Sequence, residues 1–213
     1  MKWHRINKDP TTFPKNGHYQ DWKAPLREEA KYQCVYCCIG EGVFGGYRNF
    51  HIEHYKPKSI FEILEHNYGN LFYACCICNV FKGDDWPAEP ASDFSNFSYP
   101  DPSKVDYSEL FEYESTTGYV LGKFTASKYM QERLYLNRPQ LVQERRLQTI
   151  LGKCSSIKEE LLKLTGKLVE RAKMGDENAA DFLGELVKRI SNLDTLKTQL
   201  INAIPYEHAD VSR

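Results

Sequence analysis

Residues 50–60, FHIEHYKPKSI, place His51, Glu53 and His54 within four positions and follow them with Lys56, Pro57 and Lys58. Cysteine pairs of identical spacing flank this stretch: Cys34-x-x-Cys37 before it and Cys75-x-x-Cys78 after it. Each pair offers two thiolates from one tight turn, and four thiolates complete a tetrahedral Zn²⁺ site. A single pair reads equally well as a redox motif or as buried free cysteines. Two pairs this close together favour a structural zinc in a reducing compartment. That compartment is the expected one, because MKWHRINKDPTTF at the start has no apolar signal-peptide core, so a cytoplasmic protein is expected. A zinc here ties the two ends of the segment around residues 50–60 together and stabilises a region too small to bury much core. Cys38 and Cys76 read as spare, and Cys154 as a packing residue of the tail.

The composition bounds the function. The chain has 213 residues, 41% of them hydrophobic, with a mean hydropathy of -0.58. These values fit a soluble globular protein. There is no apolar run of about 18 residues, so no membrane span is expected. The net charge of -1 gives no global basic field. The charge is uneven, with basic ends and an acidic stretch over residues 88–122. A nucleic-acid substrate would therefore be held weakly by this chain alone, since affinity comes largely from neutralised phosphates. A helper protein, or a basic face assembled by folding, is expected.

Four segments follow from the pattern. Residues 1–33 read as an irregular arm and a short helix, APLREEAKYQ, with Pro25 in its first turn. Residues 34–87 hold the cysteines, a strand in YRNFHIEHY, a second strand in LFYA, and a knuckle turning into a short helix at CCICNVFKGDD. Residues 88–122 form an acidic, Pro-rich linker with a hairpin around Gly118. Residues 123–213 form a helical region. Ile157, Leu161, Leu164 and Leu168 make one helical stripe, with a capping box of Ser156 and Glu159 at its start. Asp176 is set to cap a second helix carrying Phe182, Leu183, Leu186, Val187 and Ile190. Ser191 and Asp194 open a last one with Leu193, Leu196, Leu200 and Ile204. The fold class is α+β.

The pieces CVYC, EHYKPKS, Asn70-Leu71 and CICNVFKG come in the order of a known signature. Residues 34–87 resemble the HNH endonuclease family in its zinc-knuckle form. HIEHYKPKS, NLFYACCICNVFKGDDWP and YLNRPQLVQERR are also similar to the HNH effectors of Septu-type and retron-associated antiphage systems (PtuB-like proteins), out to about residue 146. The resemblance implies a small ββα-metal module with a four-cysteine zinc knuckle. It also implies a nucleic-acid substrate, DNA or tRNA, and a PtuA-like ATPase partner of the ABC/SMC kind.

The resemblance assigns roles within the site. His54 is the general base, and Glu53 and Asn79 are ligands of a catalytic Mg²⁺ or Mn²⁺. Asn70 orients the imidazole or pins its loop, and Lys82 contacts phosphate. Hydrolysing a phosphodiester needs an activated water and a charge sink for the leaving oxygen, which an imidazole and a divalent ion supply. Oxygen donors favour a hard ion. Adjacent strand residues point to opposite faces, so Glu53 and His54 share one phosphate only if the strand ends or bends there. The family more commonly has aspartate at the Glu53 position.

Plain structural readings stand beside these. His51 reads first as a support for the ligands rather than as a ligand itself. Lys56 and Lys58 are either phosphate contacts or solvated charges. For the whole module, the alternative is a non-catalytic zinc-knuckle adaptor that binds nucleic acid or protein. Residues 123–213 are expected to dock a partner or to cover the module.

Overall fold

Strand β1 (Phe50–His54) pairs antiparallel with β2 (Leu71–Cys75), in the register Phe50 to Cys75 through His54 to Leu71. Helix α2 (Cys76–Lys82) follows β2 with no connecting loop. This is the centre of a computed structural model that describes residues 3–14 and 16–202 and is α+β. All five residues of β2 are buried, as its continuous apolar run LFYAC requires of a strand covered on both faces. Helix α1 (Lys23–Glu29) and α2 pack on this hairpin. Phe50 stacks on Tyr73 at 4.8 Å, within a core that also holds Tyr36, Leu26 and Leu71.

A second hairpin joins β3 (Phe111–Glu114) to β4 (Tyr119–Gly122), preceded by α3 (Tyr107–Leu110). Gly118 turns the chain at φ +81, the left-handed region that glycine enters without strain. A Cβ there would also lie 2.6 Å from the Val142 carbonyl oxygen. Helix α4 (Thr125–Arg133) packs on β4, and Met130, Leu134, Leu136 and Leu141 enter the same core as the first hairpin.

The chain divides into two compact units, Met1–Arg146 and Leu147–Arg213. The segment boundaries drawn from composition, near 33, 87 and 122, do not fall between units. The N-terminal arm is irregular but packed. Trp3 Nε1 donates to the Tyr36 carbonyl at 3.0 Å, its ring stacks on Phe111, and Ile6 N–H bonds the Pro102 carbonyl. The acidic stretch is also packed in, with Tyr55 donating to the Tyr99 carbonyl and Tyr99 to Asp85.

The helical region differs from its sequence pattern in where the helices begin. Helix α5 (Pro139–Lys173) runs unbroken through Ser156 and Glu159, so that capping box is not a start. Helix α6 (Glu177–Asn202) likewise runs through Ser191 and Asp194. Asp194 instead takes an ion pair from Lys158 at 2.7 Å. Asp176 does cap α6, its Oδ1 accepting from Ala179 N. Ile204 lies outside the described residues. Among the described residues, no helix is long and apolar enough to cross a membrane.

Candidate metal centre and histidine site

The four cysteines converge. Cys34 and Cys37 lie in a knuckle closed by Cys34 N–H to the Ile39 carbonyl and Cys38 N–H to the Cys34 carbonyl, both 2.9 Å. Val35 N–H bonds the Tyr73 carbonyl and so docks that knuckle on β2. Cys75 ends β2, and its sulfur accepts from Cys78 N–H at 3.5 Å, at the first turn of α2. All four sulfurs lie within 4.8 Å of one another, all four residues are buried, and none is in a disulfide. Cys37 Sγ and Cys75 Sγ are 3.8 Å apart. A tetrahedron with Zn–S bonds of about 2.3 Å has an S···S edge of about 3.8 Å. The cluster fits Zn²⁺.

The cluster joins the Cys34–Cys37 knuckle to the β2–α2 junction, and α2 packs on the β1–β2 hairpin. Asn79 and Lys82, three apart, share a face of α2. His51 and Glu53, two apart, share a face of β1. They meet as two rungs: Asn79 Nδ2 is 3.5 Å from His51 Nδ1, and Lys82 Nζ is 2.7 Å from a Glu53 oxygen. The first rung is open to solvent. The second is closed, with Glu53 3% and Lys82 0% exposed. Tyr36 donates its hydroxyl to Glu53 at 3.2 Å, and Lys82 donates to the His54 carbonyl at 3.0 Å. Burial raises the Glu53 carboxyl above the ordinary range, opposed by Lys82.

His54 alternates to the other side of β1. Its Nε2–H donates to the Glu65 carbonyl at 3.1 Å, and the edge of Tyr19 meets its ring at 4.8 Å. A carbonyl only accepts, so in the neutral ring Nδ1 is left as the basic nitrogen. Burial lowers the His54 pKa from its usual value, partly offset by the Glu65 hydrogen bond. The ring is therefore neutral at pH 7 and able to take a proton. Asn70 pins the loop beyond it. Its side chain accepts from Lys56 N–H at 2.8 Å and donates to the Lys56 carbonyl at 3.0 Å.

Lys82, expected on phosphate, is wholly enclosed and holds Glu53 and the end of β1. Glu53, expected on a catalytic ion, is turned inward to Lys82. Lys82 and Tyr36 both engage Glu53 Oε1. Among the described residues, no hydrogen bond or ring contact joins His54 to Glu53 or Asn79. Lys56 is paired with Glu89 at 2.6 Å and Lys58 with Glu65 at 3.0 Å, so neither is an unpaired surface charge.

Three contributors were not singled out from the sequence. Tyr19 comes from the N-terminal arm, where nothing local marks it as a neighbour of His54. Tyr36 lies inside the first CxxC, where it reads as filler. Arg138 reaches the cysteine cluster from beyond residue 130. No family model matches the chain, and no curated protein matches it.

Proposed function

We propose that this chain is an HNH-type endonuclease that hydrolyses phosphodiester bonds of nucleic acid. The observation that carries the reading is a single constellation. A four-cysteine clamp closes on two antiparallel strands and a helix, with His54 at the end of the first strand and Asn79 on the helix. His54 Nδ1 takes a proton from water, the water oxygen bonds phosphorus, and the bond from phosphorus to the 3′-oxygen breaks. A hard divalent ion would supply charge neutralisation for that leaving oxygen. The sequence resemblance assigns it to Glu53 and Asn79. Lys82 already neutralises Glu53 Oε1, and no step is derived through an ion.

The test is incubation of the full-length, zinc-loaded protein with plasmid DNA and with total tRNA, with and without added Mg²⁺ or Mn²⁺. Cleavage of either substrate is expected to disappear in His54→Ala with zinc content intact. The rate is expected to hold down to below the ordinary histidine range and then fall with acid, because the lowered pKa keeps the base neutral to lower pH. Cleavage by His54→Ala equal to wild type refutes the assignment.

The enclosure of Glu53 and Lys82 favours a second reading, a zinc-knuckle adaptor without catalysis. In that case binding of nucleic acid or partner survives His54→Ala and Asn79→Ala but not Cys34→Ser. The similarity to antiphage effectors further supports an ABC/SMC-like ATPase as partner, docked on the helical region. There Phe182 and Leu196 are 64% and 53% exposed.

A further inference from the structure

Arg138 is the residue before α5, and its guanidinium lies against the cysteine cluster. Nη2 is 3.6 Å from Cys37 Sγ, 3.8 Å from Cys75 Sγ and 3.7 Å from Cys78 Sγ. Nη1 is 3.7 Å from Cys78 Sγ and donates to the carbonyls of Leu134 at 3.1 Å and Tyr135 at 3.4 Å. Nε is buried and makes no hydrogen bond. Among the described residues, no carboxylate pairs with this cation.

A guanidinium is always charged, and moving it out of water without a counter-charge is costly. Four neutral thiols supply no such charge. Four thiolates around Zn²⁺ carry a formal double negative charge, spread over the sulfurs that Arg138 touches. The planar fork presents several N–H donors in fixed directions and suits a cluster of acceptors.

The geometry points to Arg138 as the outer counter-ion of the metal held by the four cysteines: it secures zinc in the centre, and zinc in turn fixes the chain where α5 begins. The second half follows from the hydrogen bonds that start this helix. Leu141 N–H and Val142 N–H bond the Arg138 carbonyl at 3.0 and 3.2 Å, so anchoring the side chain also sets the first turn. This assignment concerns the metal site alone and holds whether or not the protein cleaves nucleic acid.

The test measures zinc affinity of the full chain by competition with a chromophoric chelator, for wild type, Arg138→Gln and Arg138→Lys. Loss of a group supporting metal ligands costs about 10–100-fold in affinity. Arg138→Gln is expected in that range, with Arg138→Lys in between. An Arg138→Gln affinity within about twofold of wild type overturns the proposal. If Arg138→Gln does not fold, Arg138→Lys decides: affinity equal to wild type overturns it, and a loss supports it. A Co²⁺-loaded sample separates charge from packing. Removing the cation's field is expected to move the thiolate-to-metal charge-transfer band to lower energy. An unmoved band in the variant that folds means Arg138 only fills space, which also overturns the proposal.

Discussion

Lys82 is a fully enclosed cation whose ammonium is shared between the Glu53 carboxylate and the His54 carbonyl. Removing one member of such a pair leaves an uncompensated buried charge, at a cost of about 3–5 kcal/mol, whereas replacing both is often close to neutral. Lys82→Met is therefore expected to lower stability by about that amount in denaturant unfolding, and Glu53→Gln added to it to restore most of the loss. The sign with pH is also set. Burial already raises the Glu53 pKa, and without Lys82 the folded state binds this proton more tightly than the unfolded state does. The deficit of Lys82→Met should shrink as pH falls toward the ordinary glutamate range. A deficit that grows on acidification counts against this account. The cysteine set and the strand alternation were legible in the sequence because both are spacings. The closure of Lys82 on Glu53 was not. It depends on how deep the helix seats on the strand, which no local pattern records.

Among the elements, the two hairpins and α2 were legible because short apolar runs, turn residues and a knuckle mark them directly. The starts of the long helices were not. A capping box such as Ser156 with Glu159 competes with simple continuation, and residues 139–156 contain no proline past the first position to break the helix. Once nucleated, each further residue propagates at little cost. Glycines give the element-scale test. At Gly122 an added Cβ would lie 2.4 Å from Lys128 N and 2.6 Å from Ser127 C, both backbone atoms where β4 meets α4. Gly122→Ala is expected to destabilise by about 1–3 kcal/mol. Gly166 and Gly184 sit in α5 and α6 with nothing within 4 Å of a Cβ. Alanine at either is expected to raise helix stability by about 1 kcal/mol, read as a higher melting temperature of the helical signal. A stable Gly122→Ala or a destabilised Gly166→Ala contradicts these packing assignments.

For the whole molecule, the compact units divide after Arg146, inside the segment 123–213 drawn from the sequence. Residues 88–122 look like a linker because they are acidic and rich in proline. Two of their tyrosines, Tyr99 and Tyr107, are nonetheless wholly or almost wholly buried, and composition cannot reveal such long-range burial. Truncation is the corresponding test. Residues 1–146 expressed alone are expected to unfold cooperatively and to carry one zinc per chain by elemental analysis. A chain ending at residue 122 lacks Met130, Leu134, Leu136, Leu141 and Arg138, and is expected to do neither. A 1–122 fragment as stable as 1–146 would show that the later residues are dispensable to the core.

The reach of Arg138 also bears on the order in which the protein is made. It lies 60 residues beyond Cys78, the last of the four cysteines. At synthesis rates of about 5–20 residues per second, the growing chain exposes a complete set of sulfurs for about 3–12 s before the arginine emerges. During that interval any metal the four sulfurs take up is held without the outer cation. The outer cation therefore reaches the centre only together with the core residues Met130, Leu134 and Leu136 that emerge just before it.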